Sequence, residues 1–385
     1  MQILKLLIKN SFRHKLRTSL TVFGITIAIL AFGLLRTVVG AWYAGVEASS
    51  STRLITRNSI SIIFFLPLSY KEKIRQIPGV KNISYSNWFG GIYISEKNFI
   101  PNFAVEAKTV FELWPEFVVP EEQKNDFLHD RKSCVAGRKV AERFGWKIGD
   151  TITLKGTIFP GNWDFVLRGI YKGKYKSTDE TQFFFHWDYL NESLKKTAPN
   201  RADQVGWYVV EVKRPELAAE VATAIDKTFK NSLAETITET EKAFQLGFVA
   251  MTEAIVIAVR IVSFVVIFII MAVMANTMAM TARERIGEYA IMKTLGFGGW
   301  HIAGLIFGES LFISAVGCGL GIAATYPAAA AFGDAMAAYL PVFNVQRQTI
   351  YLDIAASLIV GLIAGVFPAW RAVKLRIADG LRRIG

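Results

Sequence analysis

Two groups of residues in this chain could do chemical or mechanical work: ionisable side chains inside long apolar runs, and a short charged stretch between two of those runs. Glu309 lies seven residues into an apolar run that begins at Ile302, and Arg260 and Arg36 lie near the ends of two others. A charge in an apolar setting is costly, so each needs a partner, an exit to an interface or a function. Arg260 and Arg36 can snorkel. For Glu309 three roles stand open: a hydrogen bond at a helix interface, a contact between two copies of the chain, or a substrate or proton site.

The charged stretch contains Arg283, Glu284, Arg285, Gly287, Glu288 and Lys293 and closes with Leu295 and Gly296. Its spacing predicts a helix over 282–295 with Ile286, Tyr289, Ala290 and Lys293 on one face, while Arg285 and Glu288 offer charge to a partner. Gly296 can end that helix as a C-terminal cap, with Lys293 complementing the dipole. The stretch is either a docking helix or an ordinary charged loop that fixes topology.

Other chemistry is missing from the sequence. There is no G-x-x-x-x-G-K-[ST] phosphate loop, so ATP is not cradled by that device. His14, His129, His186 and His301 have no metal-ligand spacing and read as surface or interfacial residues. Cys134 sits in the polar middle and Cys318 in an apolar run, too far apart in environment to pair, which leaves no disulfide framework or zinc site.

The elements that must position these residues follow from hydropathy. The chain has 385 residues, 52% of them hydrophobic, and four runs reach the ~20 apolar residues that a bilayer core requires. These are residues 20–39, 254–280, 302–326 and 350–370. The first is preceded by basic residues, as in a signal peptide, but it is too long and lacks a clean cleavage site, so it reads as a retained helix. The net charge of +12 is concentrated beside the runs: residues 41–250 carry 28 Lys/Arg against 25 Asp/Glu, and the rest carry 16 against 7. That distribution argues for a membrane surface and against nucleic acid. Basic clusters before the first run, between the second and third, and after the fourth fall on one side, which makes that side and both termini cytoplasmic. Near the start, Leu4, Leu7, Ile8, Phe12 and Leu16 suggest either an amphipathic helix on the inner leaflet or a plain basic anchor.

The fold class is therefore a membrane α-helical protein with an α+β extracytoplasmic domain. Residues 1–40 give the amphipathic segment and first span, 41–232 the α+β domain, and 233–280 a stalk continuous with the second span. Residues 281–301 form the cytoplasmic loop, 302–326 the third span, 327–349 a short outer loop, and 350–385 the fourth span and tail. Within the domain, 60–66 reads as a buried strand, 70–77 as a helix closed by Pro78-Gly79, and 80–86 as a strand. Ile148-Gly149-Asp150 sets a turn before a strand at 151–154, with 165–170 as its partner; 205–212 is a further strand and 215–229 a helix. Gly317, Gly319 and Gly321, with Ala315, Ala323 and Ala324, make the third span small-faced, suited to close packing within the chain or to dimerisation.

Residues 7–25 read L-I-K-N-S-F-R-H-K-L-R-T-S-L-T-V-F-G-I, residues 283–296 read R-E-R-I-G-E-Y-A-I-M-K-T-L-G, Phe367-Pro368-Ala369-Trp370-Arg371-Ala372 is followed by Ala378-Asp379-Gly380-Leu381-Arg382, and residues 137–156 read G-R-K-V-A-E-R-F-G-W-K-I-G-D-T-I-T-L-K-G. These stretches resemble one family, the FtsX/MacB-type (type VII, mechanotransmission) permeases of ATP-binding-cassette (ABC) transporters. The first is similar to the entry into the family's first span. The second resembles its cytoplasmic loop, although Ile286-Gly287-Glu288 stands where the family usually has Glu-Ile-Gly. The third is similar to its C-terminal signature, and the fourth resembles part of its outer domain.

The resemblance implies a non-enzymatic permease subunit that binds no cofactor, driven by a separate ABC ATP-binding subunit that uses ATP and Mg. It implies a coupling role for Arg283, Glu284, Arg285, Gly287, Glu288, Lys293, Leu295 and Gly296, and a second permease chain, identical or homologous, with an optional periplasmic adaptor and membrane lipid as surroundings. Expected location is the bacterial inner membrane, multi-pass, with the large domain periplasmic or extracellular. Expected work is efflux or export of lipid, lipoprotein or peptide; the alternative is an FtsX-like mechanical regulator of a cell-wall hydrolase that transports nothing.

Overall fold

The computed structural model describes residues 14–337, 340–374 and residue 376. The amphipathic stretch before His14 and the C-terminal motif at 378–382 lie outside the described residues. Two compact units divide the described residues: those within 14–40, 253–334 and 343–374 form a helical unit, and those within 41–252 and 335–342 form a mixed α+β unit. Helix α1 (Lys15–Ala48) opens the described chain.

The α+β unit runs β1 (Arg53–Asn58), β2 (Leu66–Pro67), α2 (Tyr70–Arg75), β3 (Val80–Trp88), β4 (Asn102–Val105), α3 (Val110–Leu113) and β5 (Phe117–Val118). It continues with α4 (Glu121–His129), β6 (Ser133–Gly137), α5 (Arg138–Phe144), β7 (Thr151–Gly156), β8 (Gly161–Gly173) and β9 (Phe183–His186). Then follow α6 (Trp187–Thr197), β10 (Gln204–Val205), β11 (Trp207–Val212), α7 (Ala218–Thr228), β12 (Thr236–Thr240) and α8 (Glu241–Met251). The main sheet is ordered β12-β1-β11-β3-β4-β9-β6-β8-β5, with β7 paired to β8, and β10 pairs β2 apart from it. The β7–β8 register sets Ile152 opposite Phe165 and Leu154 opposite Trp163, so one face of each strand is buried. Gly79 and Gly149 both hold φ of +96°, the left-handed conformation that their turns need.

Three expectations for this region are corrected. Residues 60–66 are not a buried strand: Ile60 and Ile63 are each 77% exposed, Leu66 at the end is buried as part of the short β2, and the strand built into the main sheet is the more polar β1 just before them. Burial of β1 depends on long-range partners, since Arg53 bonds Glu116 and Glu241 and Thr56 meets Thr238. His186 is not on the surface but buried on β9, with Nε2 2.6 Å from the Phe127 carbonyl. Residues 233–280 are not one stalk helix. Thr236-Ile237-Thr238-Glu239-Thr240 alternates with period two and pairs with β1 as β12, anchored by Asp226 to Thr236 and Thr238. Thr240 then caps α8 by accepting from the Ala243 amide, and α8 ends at Thr252, whose backbone leaves helical geometry and whose hydroxyl accepts from the Trp42 indole at 2.7 Å.

The helical unit adds α9 (Glu253–Glu284), α10 (Ile286–Thr294), α11 (Gly299–Ala335) and α12 (Arg347–Lys374). Helices α1, α9, α11 and α12 are long and apolar enough to cross a membrane, and each contains one of the four apolar runs. Helix α11 passes through Pro327 to Ala335 instead of stopping at 326. The small face of α11 divides its labour. A Cβ at Gly317 would stand 2.6 Å from Ile25 and one at Gly321 2.7 Å from Ile29, so these glycines seat α1. Gly319 has no described residue within 4 Å of its Cβ position. On another face Ser310 and Ser314 donate to the carbonyls of Gly361 and Ser357, a ladder of hydroxyls that joins α11 to α12 where lipid offers no competing partners.

Candidate partner-docking site

The residues singled out between the second and third spans gather at one end of the helical unit, but most of their charge is used internally. Glu284, the last residue of α9, accepts two hydrogen bonds from the Arg17 guanidinium at 2.7 and 2.8 Å, which ties the start of α1 to the end of α9. Arg285 donates Nε to Glu288 and Nη1 to Glu309, both at 2.9 Å. Its side chain is only 11% exposed and that of Glu309 6%. Glu309 is thus the buried anchor of the connecting segment, and Arg285 is not a charge held out to a partner. The Arg285 guanidinium also lies 5.5 Å from the centroid of the Tyr289 ring. Burial pushes the Tyr289 hydroxyl up to about 12, against the opposing pull of Arg285, so the phenol stays neutral at physiological pH.

Helix α10 is therefore fixed at its base and along one face, with Tyr289 and Ala290 buried. Gly287 lies in its first turn, and Lys293 reaches the Val373 carbonyl on α12 at 2.8 Å. Its C-terminus closes as the sequence suggested. Gly296 takes φ of +92°, its amide bonds the Lys293 carbonyl, and the Phe297 amide bonds Met292, the paired bonds of a Schellman cap. What the segment presents outward is apolar: Ile291 is 46% exposed, Leu295 72%, Phe297 46% and Trp300 86%. Arg283 is exposed, and Arg260 is exposed far along α9 from this cluster.

Two features escaped the sequence reading. Asp353 on α12 is 1% exposed, and neither carboxylate oxygen has a hydrogen-bond partner among the described residues. It faces Gly33 of α1, where a Cβ would stand 3.3 Å from Oδ2, and Thr325 of α11 borders the same point. An acidic residue three positions into the fourth apolar run was the signal that could have found it. Arg36 is half-buried, and its Nε has no hydrogen-bond partner among the described residues. In the α+β unit, Arg53 clamps the N-terminus of α8 by its bond to Glu241, which also accepts from the Ser50 amide. Among the described residues no group of three His, Cys, Asp or Glu could hold a metal.

Four helices are long and apolar enough to span a membrane, and most of the α+β unit is inserted in the chain between the first two of them. The MacB-like periplasmic core domain model matches residues 18–228 and the FtsX-like permease C-terminal model matches residues 260–377. The chain belongs to the FtsX/MacB-type family of ABC transporter permeases. It is similar to an uncharacterized ABC transporter permease of Methanocaldococcus jannaschii, 25% identical over 398 residues that cover 97% of this chain and 96% of the relative. Among solved structures it is similar to the periplasmic region of MacB from Actinobacillus actinomycetemcomitans, with 8% identity and a TM-score of 0.39 over 53% of this chain and 95% of that one. It is also similar to the extracellular domain of the ABC-type transporter YknZ from Gram-positive bacteria, with 11% identity and a TM-score of 0.35 over 49% of this chain and 100% of that one.

Proposed function

We propose that this permease passes ATP-driven motion of a separate ABC ATP-binding subunit to its α+β domain, and that the subunit docks on the apolar tip formed by Ile291, Leu295, Phe297 and Trp300. The observation that carries the reading is the contrast within 285–300: a base held by the Arg285–Glu309 ion pair and a tip that exposes large apolar side chains. A rigid base with an apolar tip suits a lever seated in a groove, because force on the tip reaches the helices without being lost in loop motion. Aromatic anchors such as Trp300 are the side chains that dominate interfaces of this kind.

In this reading the chain itself binds no cofactor, and ATP and Mg belong to the partner. Two permease chains, identical or homologous, make up the membrane part. The basic end is cytoplasmic, supported by the Lys/Arg excess beside the spans, and the α+β domain acts on the opposite side in efflux or export of lipid, lipoprotein or peptide.

The test is co-purification of the tagged chain from its native host in mild detergent, with partners identified by mass spectrometry. The unaltered chain is expected to bring down an ABC ATPase, and Leu295→Glu with Trp300→Glu to lose it, since both positions are exposed and the changes do not disturb the fold. Stoichiometric ATPase in the double variant would remove the apolar tip as the seat. Reproducible absence of any ATPase with the unaltered chain would remove the coupling reading itself.

A further inference from the structure

The basic end of the helical unit contains a cavity of about 380 Å³ between α9, α10 and α12. That volume lies in the range of roughly 300–1,000 Å³ typical of small-molecule sites. Its walls are of two kinds. Ile286, Tyr289, Phe367 and Pro368 supply apolar surface, and Arg283 and Arg371 supply two guanidinium groups. Among the described residues no acidic side chain lines it and neither arginine has a salt-bridge partner. The nearby acids are engaged elsewhere, Glu284 by Arg17 and Glu288 by Arg285. The Arg371 guanidinium lies over the Phe367 ring, 4.5 Å from its centroid, so the charge is held against the apolar wall.

We propose that this cavity binds an anionic phospholipid, with Arg283 and Arg371 on the phosphate and the acyl chains leaving along the Phe367 side. Guanidinium forks match phosphate oxygens in geometry and charge. Basic pockets between spanning helices at the membrane surface are suited to phospholipid headgroups. A soluble phosphate would use the arginines but not the apolar wall. The wall continues into exposed apolar surface on a helix long and apolar enough to cross a membrane, with Val366 54% exposed, Phe367 48% and Trp370 54% on the same stretch of α12. Because α10 forms one side, an occupied cavity would brace the connecting segment against α12, which gives the bilayer composition a route to that segment independent of any ATPase.

The test places the full-length chain in nanodiscs of phosphatidylcholine, with or without phosphatidylglycerol, and counts lipid retained after transfer to detergent by native mass spectrometry. Phosphatidylglycerol is expected to be retained about tenfold better than phosphatidylcholine, and Arg283→Gln with Arg371→Gln to abolish the preference. Arg283→Lys with Arg371→Lys should keep a reduced preference, because charge remains while the planar fork is lost. This pair decides the matter if the glutamine variant does not fold. Equal retention of both lipids by the unaltered chain, or an undiminished preference in the altered chains, overturns the proposal. Binding of inorganic phosphate with no lipid preference also overturns it and makes the site one for a soluble phosphate.

Discussion

The Arg285–Glu309 pair is the most direct place to test whether the connecting segment is fixed by its base. Both side chains are largely buried, at 11% and 6% exposure, and their contact is 2.9 Å. Removing one member of a buried pair leaves the other without compensation and typically costs about 3–5 kcal/mol. The Arg285–Glu288 bond is of similar length, but Glu288 is 39% exposed, so that pair contributes about 1 kcal/mol at most. Glu309→Gln and Arg285→Met should therefore each destabilise the chain severalfold more than Glu288→Gln. Replacing both with apolar residues, Arg285→Met with Glu309→Leu, should recover most of the loss, because a buried ion pair and a well-packed apolar pair are often close in free energy. The assay is equilibrium unfolding in mixed micelles followed by circular dichroism, analysed as a double-mutant cycle. Additive single effects, or a Glu309→Gln cost no larger than that of Glu288→Gln, would refute the anchoring role.

Two further predictions rest on packing and on protonation. Gly317→Ala and Gly321→Ala should each lower thermal stability by about 1–3 kcal/mol through overpacking against α1, while Gly319→Ala should be tolerated; equal effects at all three positions would mean that the α1–α11 contact is not as described. Burial lowers the His186 imidazole from its ordinary value of 6.5, against the opposing hydrogen bond to Phe127. The unfolded chain then takes up a proton as pH falls through 6.5 and the folded chain does not, so stability present above that pH is lost below it. His186→Gln should flatten the dependence of the unfolding midpoint between roughly pH 7.5 and 5.5, and an unchanged slope would remove His186 as its source.

Much of the architecture was legible because it is written in local pattern. Four apolar runs of spanning length mark α1, α9, α11 and α12, since a bilayer leaves the backbone no other way to satisfy its hydrogen bonds. Gly296 marked a helix end and Gly149 a turn because their backbone conformations are intrinsic to the residue type. The alternation at 151–154 likewise marked β7. Where local pattern conflicted with tertiary context, the reading failed. Residues 60–66 look more strand-like than 53–58, yet β1 is the buried strand, because its Arg53 and Thr56 find partners at Glu116, Glu241 and Thr238.

The sequence by itself determined that this is a membrane permease with four spans, a large α+β insertion and a charged segment between the second and third spans. Tertiary structure alone decided which charges are available and which are already paired. Arg285 and Glu309 lie 24 positions apart and Arg17 and Glu284 lie 267 apart, so no local pattern relates them. The same holds for the equal-looking glycines of α11, of which Gly317 and Gly321 meet α1 and Gly319 meets none of the described residues. Hydropathy and turn propensity act over a few residues, whereas the pairing of buried charges and the seating of one helix on another depend on distances in space that only the folded chain fixes.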